Sequence, residues 1–323
     1  MRNPEARIRD ALEVAKLYYY HGLTTEKIAK ERGVSRPKVS RLLNFAREQG
    51  LVEITIHDTE RNVAPLSDAI VGRFQLQAVH VVSVPEVLGE VVWLERVAEF
   101  TANYLNTILS SGMTVGCAWG TTISAIAQRL IPKPVPDLRL VQLNGSGNTH
   151  TYDNRYAAQI LQTFADNYGA RVYLFPVPTF FDFRETKTAM WKERSINRIL
   201  EMQQNADILL YSIGAVSGGV PSHVYSGEYL EEHDLGELRS AGAVGDLATV
   251  FYRADGTYED IAINARSTGP SLDLYKRVKR AVCVVSGRAK VEGLHAALEA
   301  GFLNELIIDE PTARILVDRF QET

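Results

Sequence analysis

Seven short apolar runs rich in β-branched residues recur along the chain: "AVHVVSV" (78–84), "TVGCA" (114–118), "LRLVQL" (138–143), "RVYLF" (171–175), "DILLYSI" (207–213), "AVCVVS" (281–286) and "ELIID" (305–309). Stretches of helical periodicity separate them. Strands that alternate with helices imply a mainly parallel, Rossmann-like α/β sheet with both faces covered. Ligands of such sheets bind outside the carboxyl ends of the strands, so the turns that follow the strands are where function is sought.

Four of those turns are polar and rich in glycine. "WGTT" (119–122) leads into a helix, so the N–H groups of Gly120, Thr121 and Thr122 and two hydroxyls could hold a phosphate. "LNGSGNTH" (143–150) offers Asn144, Gly145 and Ser146, with His150 as either a contact or a solvated loop residue. "SIGAVSGGV" (212–220) is the third turn. "SGRAK" (286–290) is the fourth, where Lys290 can aim a compact charge at an anion or hydroxyl. Asp246 follows a tight glycine turn and precedes a hairpin read as turning at Ala254-Asp255-Gly256-Thr257; its carboxylate could accept two sugar hydroxyls. Any one such turn is equally consistent with a structural role, since tight connections need glycine whatever they bind. The inference rests on several of them meeting at one sheet edge. The aromatic set "YLFPVPTFFDF" (173–183) is read as core or interface.

The first 58 residues have a different character. Ile8, Ala11, Leu12, Ala15 and Tyr18 lie at helical spacing and predict a first helix ending near Gly22. Thr24 or Thr25 can cap a second, with Ile28 and Ala29 inward. Gly33 then permits a tight turn, Val34 plugs the core, and Ser35 caps a third helix with Pro37 in its first turn. In that third helix Val39, Leu42, Leu43 and Ala46 form a buried stripe that leaves Arg36, Lys38, Ser40, Arg41 and Asn44 largely elsewhere. This is the arrangement of a helix-turn-helix, whose second helix enters the major groove. Ser35, Arg36, Pro37, Lys38, Ser40 and Arg41 are the candidate DNA contacts, with Arg36, Lys38 and Arg41 the charged ones. "LVEITIH" (51–57) alternates like the strand of a wing. The polar "HDTERNVAP" (57–65) divides the chain into a DNA-binding domain (1–58), a linker (59–65) and a body (66–323), the body opening with a helix over 66–76 that carries Leu66, Ala69, Ile70 and Phe74 on one face.

Charge follows the same division. Residues 1–58 hold 11 Lys and Arg against 8 Asp and Glu, a net +3, while the remaining 24 against 31 give −7. Only the first part is suited to a polyanion. No apolar run is long enough to span a membrane and the first residues lack the apolar centre of a signal peptide, so a cytoplasmic protein is expected. Cys117 and Cys283, far apart in apolar runs, read as reduced core thiols. Neither metal-ligand spacing nor the glycine patterns of dinucleotide and nucleoside-triphosphate sites occur, so no metal or cofactor is expected.

Taken together, "VGCAWGTTISAIAQRL", "VQLNGS", "LFPVPTFFD", "AGAVGDLATVFYRADG" and "VVSGRAKVEGLHAALEAGFLNELIIDEPTARIL" resemble the SorC-type sugar-binding transcriptional regulators, over nearly the whole chain. The resemblance implies a winged helix-turn-helix joined to an effector domain similar to ribose-phosphate isomerases and glucosamine-phosphate deaminases, usually assembled as a tetramer. It implies a phosphorylated sugar as effector, with its phosphate near Gly120, Thr121 and Thr122 and with Asp246 and Lys290 at the matching acidic and basic positions. "FFDFRETK" and "NARSTG" look closest to the deoxyribonucleoside-type members, which points to a pentose or deoxypentose phosphate. The sequence departs from many members in carrying Arg288 in a turn where glycine is common and in lacking lysine in "LNGSGNTH", which puts an imine-forming mechanism at that loop in doubt. The expected protein is thus a ligand-controlled transcriptional repressor, a homo-oligomer on operator DNA. The alternatives are a sugar-phosphate isomerase or deaminase with an appended domain, in which Asp246 and Lys290 act as acid and base, and an architectural DNA protein, which leaves the polar turns unexplained.

Overall fold

A computed structural model describes residues 4–19, 23–52, 63–148, 155–215, 220, 222–226 and 229–321. The chain divides into two compact units, Met1–Arg61 and Asn62–Thr323.

The first unit contains α1 (Pro4–Tyr19), α2 (Thr25–Glu31) and α3 (Arg36–Glu48). Its core joins Ala11, Val14 and Ala15 of α1 to Ile28 and Ala29 of α2 and to Val39, Leu42, Leu43 and Ala46 of α3, with Val34 packed against them. The buried stripe of α3 is the one the spacing predicts. That of α1 is so only in part: Ala11 and Ala15 are buried as expected, but Ile8, Leu12 and Tyr18 stay 37–41% exposed, and Val14 takes the inward place. The small Ala11 and Ala15 flank Val14, so a narrow ridge rather than a broad leucine face meets the other helices. Thr24 caps α2 by accepting from the Lys27 N–H at 3.3 Å. Ser35 occupies the cap position of α3, but its side chain makes no capping bond; its backbone carbonyl instead accepts from the Lys38 and Val39 N–H groups. Residues 53–57 of the expected wing and 59–62 of the linker lie outside the described residues.

The second unit opens with the helix Ala64–Phe74, two residues earlier than expected, and Leu66, Ala69, Ile70 and Phe74 face its core. Its strands are β1 (Ala78–Val82), β2 (Thr114–Cys117), β3 (Arg139–Gln142), β4 (Arg171–Tyr173), β5 (Ile208–Tyr211), β6 (Ile213–Gly214), β7 (Ala243–Leu247), β8 (Val250–Arg253), β9 (Arg280–Val285) and β10 (Glu305–Asp309). Seven form one sheet in the order β1-β10-β9-β5-β2-β3-β4, every pair parallel. These are the seven predicted runs. "DILLYSI" departs by breaking at Ser212, so that Ile213 and Gly214 join β7 and β8 in a separate antiparallel sheet.

Both faces of the large sheet are apolar and alternate residue by residue. Leu209, Cys283, Val285, Leu306 and Ile308 belong to one core, while Ile208, Leu210, Val282, Val284 and Ile307 belong to the other. Helices must therefore cover both sides. The aromatic set forms a small core of its own, in which Phe175, Val177 and Phe181 pack on Ile196 and Trp191. Both cysteines are free and buried, and burial pushes both thiols up, Cys117 to about 12.

The amino ends of β9 and β10 are tied by an ion pair. Arg280 donates twice to Glu305, at 2.5 and 3.0 Å, and Tyr104 donates to the same carboxylate at 2.7 Å. Glu305 is 2% exposed. Removing its partner strands a buried charge, which typically costs about 3–5 kcal/mol. Arg280→Leu is expected to lower the urea-unfolding free energy of the body by about that amount. Because the pair lies at the sheet end opposite the loops that follow the strands, the same variant, assayed where it is folded, should bind ligand like the wild type.

Candidate functional site

The strand order sets where a crevice opens. From β2 the chain runs outward to β3 and β4, then returns to place β5 on the other side of β2, so the connections diverge between β2 and β5. Loops leaving the carboxyl ends on either side of such a point part and leave a cleft. A cavity lies there, lined by Gly120, Thr121, Thr122, Asn144, Ser212, Gly214, Asp246, Thr249 and Lys290, with Trp119, Ser222 and Val224 among its other walls.

One wall is a donor array. The helix Thr121–Ala127 begins immediately after Gly120, whose φ of 135° suits glycine, and the Ser124 N–H bonds back to the Gly120 carbonyl. Lys290 is 8% exposed and donates to the hydroxyls of Thr122 and Ser212, each at 3.2 Å, while Ser212 donates to Thr122 at 3.2 Å. Burial lowers the Lys290 pKa, opposed by Cys283, Asp246, Asp309 and Glu90. Two hydroxyls hold the ammonium in place without neutralising it. An anion is the ligand that would complete it.

The turn carrying Lys290 is pinned from both sides. The Gly287 N–H donates to Asp309 Oδ2 at 3.0 Å and to Thr312 Oγ1 at 3.2 Å, and the Arg288 N–H donates to Glu90 Oε1 at 3.0 Å. The Arg288 side chain points elsewhere, pairing with Glu86 at 2.8 Å and lying over the Trp93 ring.

The opposite wall carries acceptors. Asp246 is 4% exposed; its Oδ2 accepts the Thr249 N–H at 3.0 Å, while Oδ1 has no hydrogen-bond partner among the described residues. Asn144 Oδ1 is likewise buried without a partner. Buried acceptors without partners, on residues that line a cavity, suit hydroxyl donors of a ligand. Burial raises the Asp246 carboxyl to about 6, against the pull of the Thr249 N–H, Lys290 and Tyr225. A Cβ on Gly214 would fall 1.8 Å from Asp246 Oδ1, so only glycine lets β6 approach the carboxylate.

Six of the eight predicted effector residues therefore line the cavity: Gly120, Thr121, Thr122, Asn144, Asp246 and Lys290. Gly145 and Ser146 do not. Gly145 packs against the carbonyls of Val177 and Pro178, where a Cβ would come within 2.4 Å, and its N–H and C=O engage Thr268 and Thr179. Ser146 accepts from Gln142 at 3.2 Å. These two hold the loop so that Asn144 reaches the cavity. Trp119 helps by donating to the Asn144 and Gly145 carbonyls. His150 and residues 216–219 of the third turn lie outside the described residues.

Three features escaped the sequence reading. Ser212 and Gly214 sat in a flagged turn but were not singled out. Thr249 is a second. The β7–β8 hairpin turns at Ala248 and Thr249, not at 254–257, and both central residues have positive φ, 43° and 72°. Hairpins of this kind usually signal themselves by Asn-Gly, and Ala-Thr gives no such signal. Third, Trp119, Tyr156, His223 and Tyr229 form a ring cluster beside the cavity, with Tyr156 and His223 centroids 4.2 Å apart. Burial lowers the His223 pKa.

The crevice at the edge of the seven-stranded sheet and the separate helix-turn-helix unit define a class: a ligand-binding α/β domain joined in sequence to a DNA-binding unit. Residues 60–318 match the sugar-binding domain family. The chain is 35% identical over 310 residues to the deoxyribonucleoside regulator of Bacillus subtilis (strain 168), covering 95% of this chain and 97% of that one. It is 44% identical to a solved domain of a possible sugar-binding transcriptional regulator from Arthrobacter aurescens TC1, which covers 81% of this chain and 100% of that one with a TM-score of 0.74. The fold also follows the full-length sorbitol operon regulator SorC of Klebsiella pneumoniae, over 97% of this chain and 99% of that one, at 21% identity and a TM-score of 0.71. The chain belongs to the SorC-type family of sugar-binding transcriptional regulators.

The raised Asp246 carboxyl has a measurable sign. Its folded pKa of about 6 exceeds the ordinary 3.8, so its contribution to stability is fully present below 3.8 and is lost as pH rises through 6. Asp246→Asn removes that titration. The stability of the variant relative to wild type, from urea unfolding of the ligand-free protein, should therefore rise by up to about 3 kcal/mol between pH 4 and pH 7.5 and level off above.

Proposed function

We propose that the chain represses a carbohydrate or nucleoside catabolic operon and is controlled by a phosphorylated sugar, a pentose or deoxypentose phosphate, held in the β2/β5 crevice. The observation that carries this reading is the cavity's polarity. Lys290, with the Thr122 and Ser212 hydroxyls and the start of the helix Thr121–Ala127, suits a phosphate, and the orphaned oxygens of Asp246 and Asn144 suit hydroxyls on the same molecule. The deoxyribonucleoside regulator's name supports the choice of sugar. Arg36, Lys38 and Arg41 of α3 then read the operator; Arg36 and Arg41 are exposed and Lys38 half-buried, and Arg36 reaches Glu26 at 3.4 Å. An exposed pair of that kind is weak enough to exchange for a phosphate. Ser35, Pro37 and Ser40, also exposed, would contribute backbone and hydroxyl contacts.

An enzymatic reading has one observation in its favour. Asp246, raised towards neutrality, and Lys290, lowered by burial, line one cavity as an acid and base could. Incubation with pentose and hexosamine phosphates separates the two: a regulator stabilised by its effector leaves it unconverted, whereas turnover establishes the enzyme.

Thermal shift against sugar phosphates and the matching free sugars tests the effector, since a ligand selective for the folded state raises the melting temperature. The shift should come from a phosphorylated sugar and not from its free form. Lys290→Ala should weaken that ligand at least about tenfold while leaving operator affinity intact. Arg41→Ala should show the reverse, losing about 1–3 kcal/mol of operator binding by fluorescence anisotropy with an unchanged ligand shift.

A further inference from the structure

The helix α3 carries four cations, Arg36, Lys38, Arg41 and Arg47, and among the described residues only the first of them has a carboxylate partner. Arg41 donates its Nε–H to the Pro37 carbonyl at 3.3 Å, and Arg47 donates to the Asn44 side chain. Arg36, which opens α3, instead sets Nη1 3.4 Å from Oε1 of Glu26, in the first turn of α2. Both side chains stand in water, 65% and 73% exposed, so the pair adds little to folding.

A carboxylate at this place is out of character. The face that holds Arg36, Lys38 and Arg41 would meet a polyanion, and an unpaired acid beside it is repelled by every phosphate. The dipole of α2 favours an acid in that helix's first turn. This accounts for the charge of Glu26 but not for its partner.

We propose that Glu26 is a positioning residue that makes Arg36 a reader of guanine instead of a holder of phosphate, a proposal that rests on α3 being the operator-reading helix. The first residues of such a helix are the ones that reach base edges. A guanidinium has five N–H donors in a rigid fork. Guanine O6 and N7 in the major groove take two of them, so Arg36 can turn these to the base while Nη1 stays on Glu26. On any other base pair the alternative for Arg36 is a phosphate, and taking it leaves Glu26 without a partner beside the DNA backbone. Glu26 thus acts by penalising the wrong sequence, and discrimination is a difference of two affinities.

The test uses the full-length protein and a pool of random-sequence DNA duplexes, from which bound molecules are recovered and sequenced. Arg36→Lys keeps the charge and removes the two-pronged fork, so the base pair whose guanine preference it abolishes is the one that Arg36 reads. Glu26→Gln, which keeps the size of the side chain and removes its charge, should lose about tenfold of the guanine preference at that same base pair. The other positions should stay as in the wild type. On a non-operator duplex the same variant should bind more tightly, with log affinity falling more steeply against log salt by about 0.9, the mark of one more phosphate held. Glu26→Gln combined with Arg36→Lys should select like Arg36→Lys alone, because Glu26 acts only through Arg36. All three variants should melt with the wild type, since both side chains are exposed. An unchanged guanine preference in Glu26→Gln overturns the proposal, as does a loss spread evenly over all positions, which a general charge effect produces. An Arg36→Lys variant that loses no position overturns it too. A wild type that enriches no sequence overturns the reading of α3 itself, and the proposal with it.

Discussion

Everything at the ligand crevice depends on how a buried ammonium is kept charged and in place. Lys290 lies in low-dielectric surroundings that disfavour its proton, and the two hydroxyls that receive its hydrogen bonds are dipoles, not counter-charges. The carboxylates that act on it do so from separate elements: Asp246 from β7, Asp309 from the end of β10 and Glu90 from the helix Gly89–Ile108. Two of them also accept backbone N–H groups of the Lys290 turn, so one set of acids both favours the charged ammonium from a distance and fixes the loop. The parallel order of β5, β9 and β10 brings these residues together. None is near another in sequence.

How much of this was legible in the sequence differs between sheet and site for a physical reason. Strands buried on both faces must be apolar throughout, and runs such as "AVCVVS" and "ELIID" declare themselves. The site was legible where it used a strand-to-helix turn, as at Gly120–Thr122 and Lys290, because composition marks those turns. It was not legible where a residue acts by supporting another. Gly145 and Ser146 share a loop with Asn144 and look equally polar, yet only the packing of Gly145 under Val177 and Pro178 shows which of the three is left lining the cavity. Thr249 was hidden because nothing in its side chain announces a positive φ. In the first unit the α3 stripe was read correctly and the α1 stripe only at Ala11 and Ala15, since Ile8 and Leu12 outweigh Val14 in hydrophobicity while Ala11, Val14 and Ala15 win by allowing close helix approach.

The charge asymmetry between the two units fits the division of labour. On the proposed function, the basic α3 face would meet a polyanion through many weak, exposed contacts, whereas the crevice would read one small anion through few buried ones. The same chemistry, cation to phosphate, is tuned by burial alone: exposed guanidinium groups exchange partners readily, and a desolvated ammonium held by two hydroxyls discriminates.

The Ala248–Thr249 hairpin has a consequence for how such a protein can change. A β-branched residue at φ 72° costs on the order of 1–3 kcal/mol, and Asn-Gly would adopt the same backbone with less strain. Yet Thr249 gives its N–H to Asp246, shares a hydroxyl contact with Ser267 at 3.1 Å, and accepts the Ser267 hydroxyl at its carbonyl at 2.7 Å. Relaxing the turn loosens the Asp246 carboxylate, which the proposed function requires to be already aimed at the cavity. Heat resistance and chemical recognition therefore pull in opposite directions at one residue, and a lineage selected for growth at high temperature has to gain its stability elsewhere in the fold.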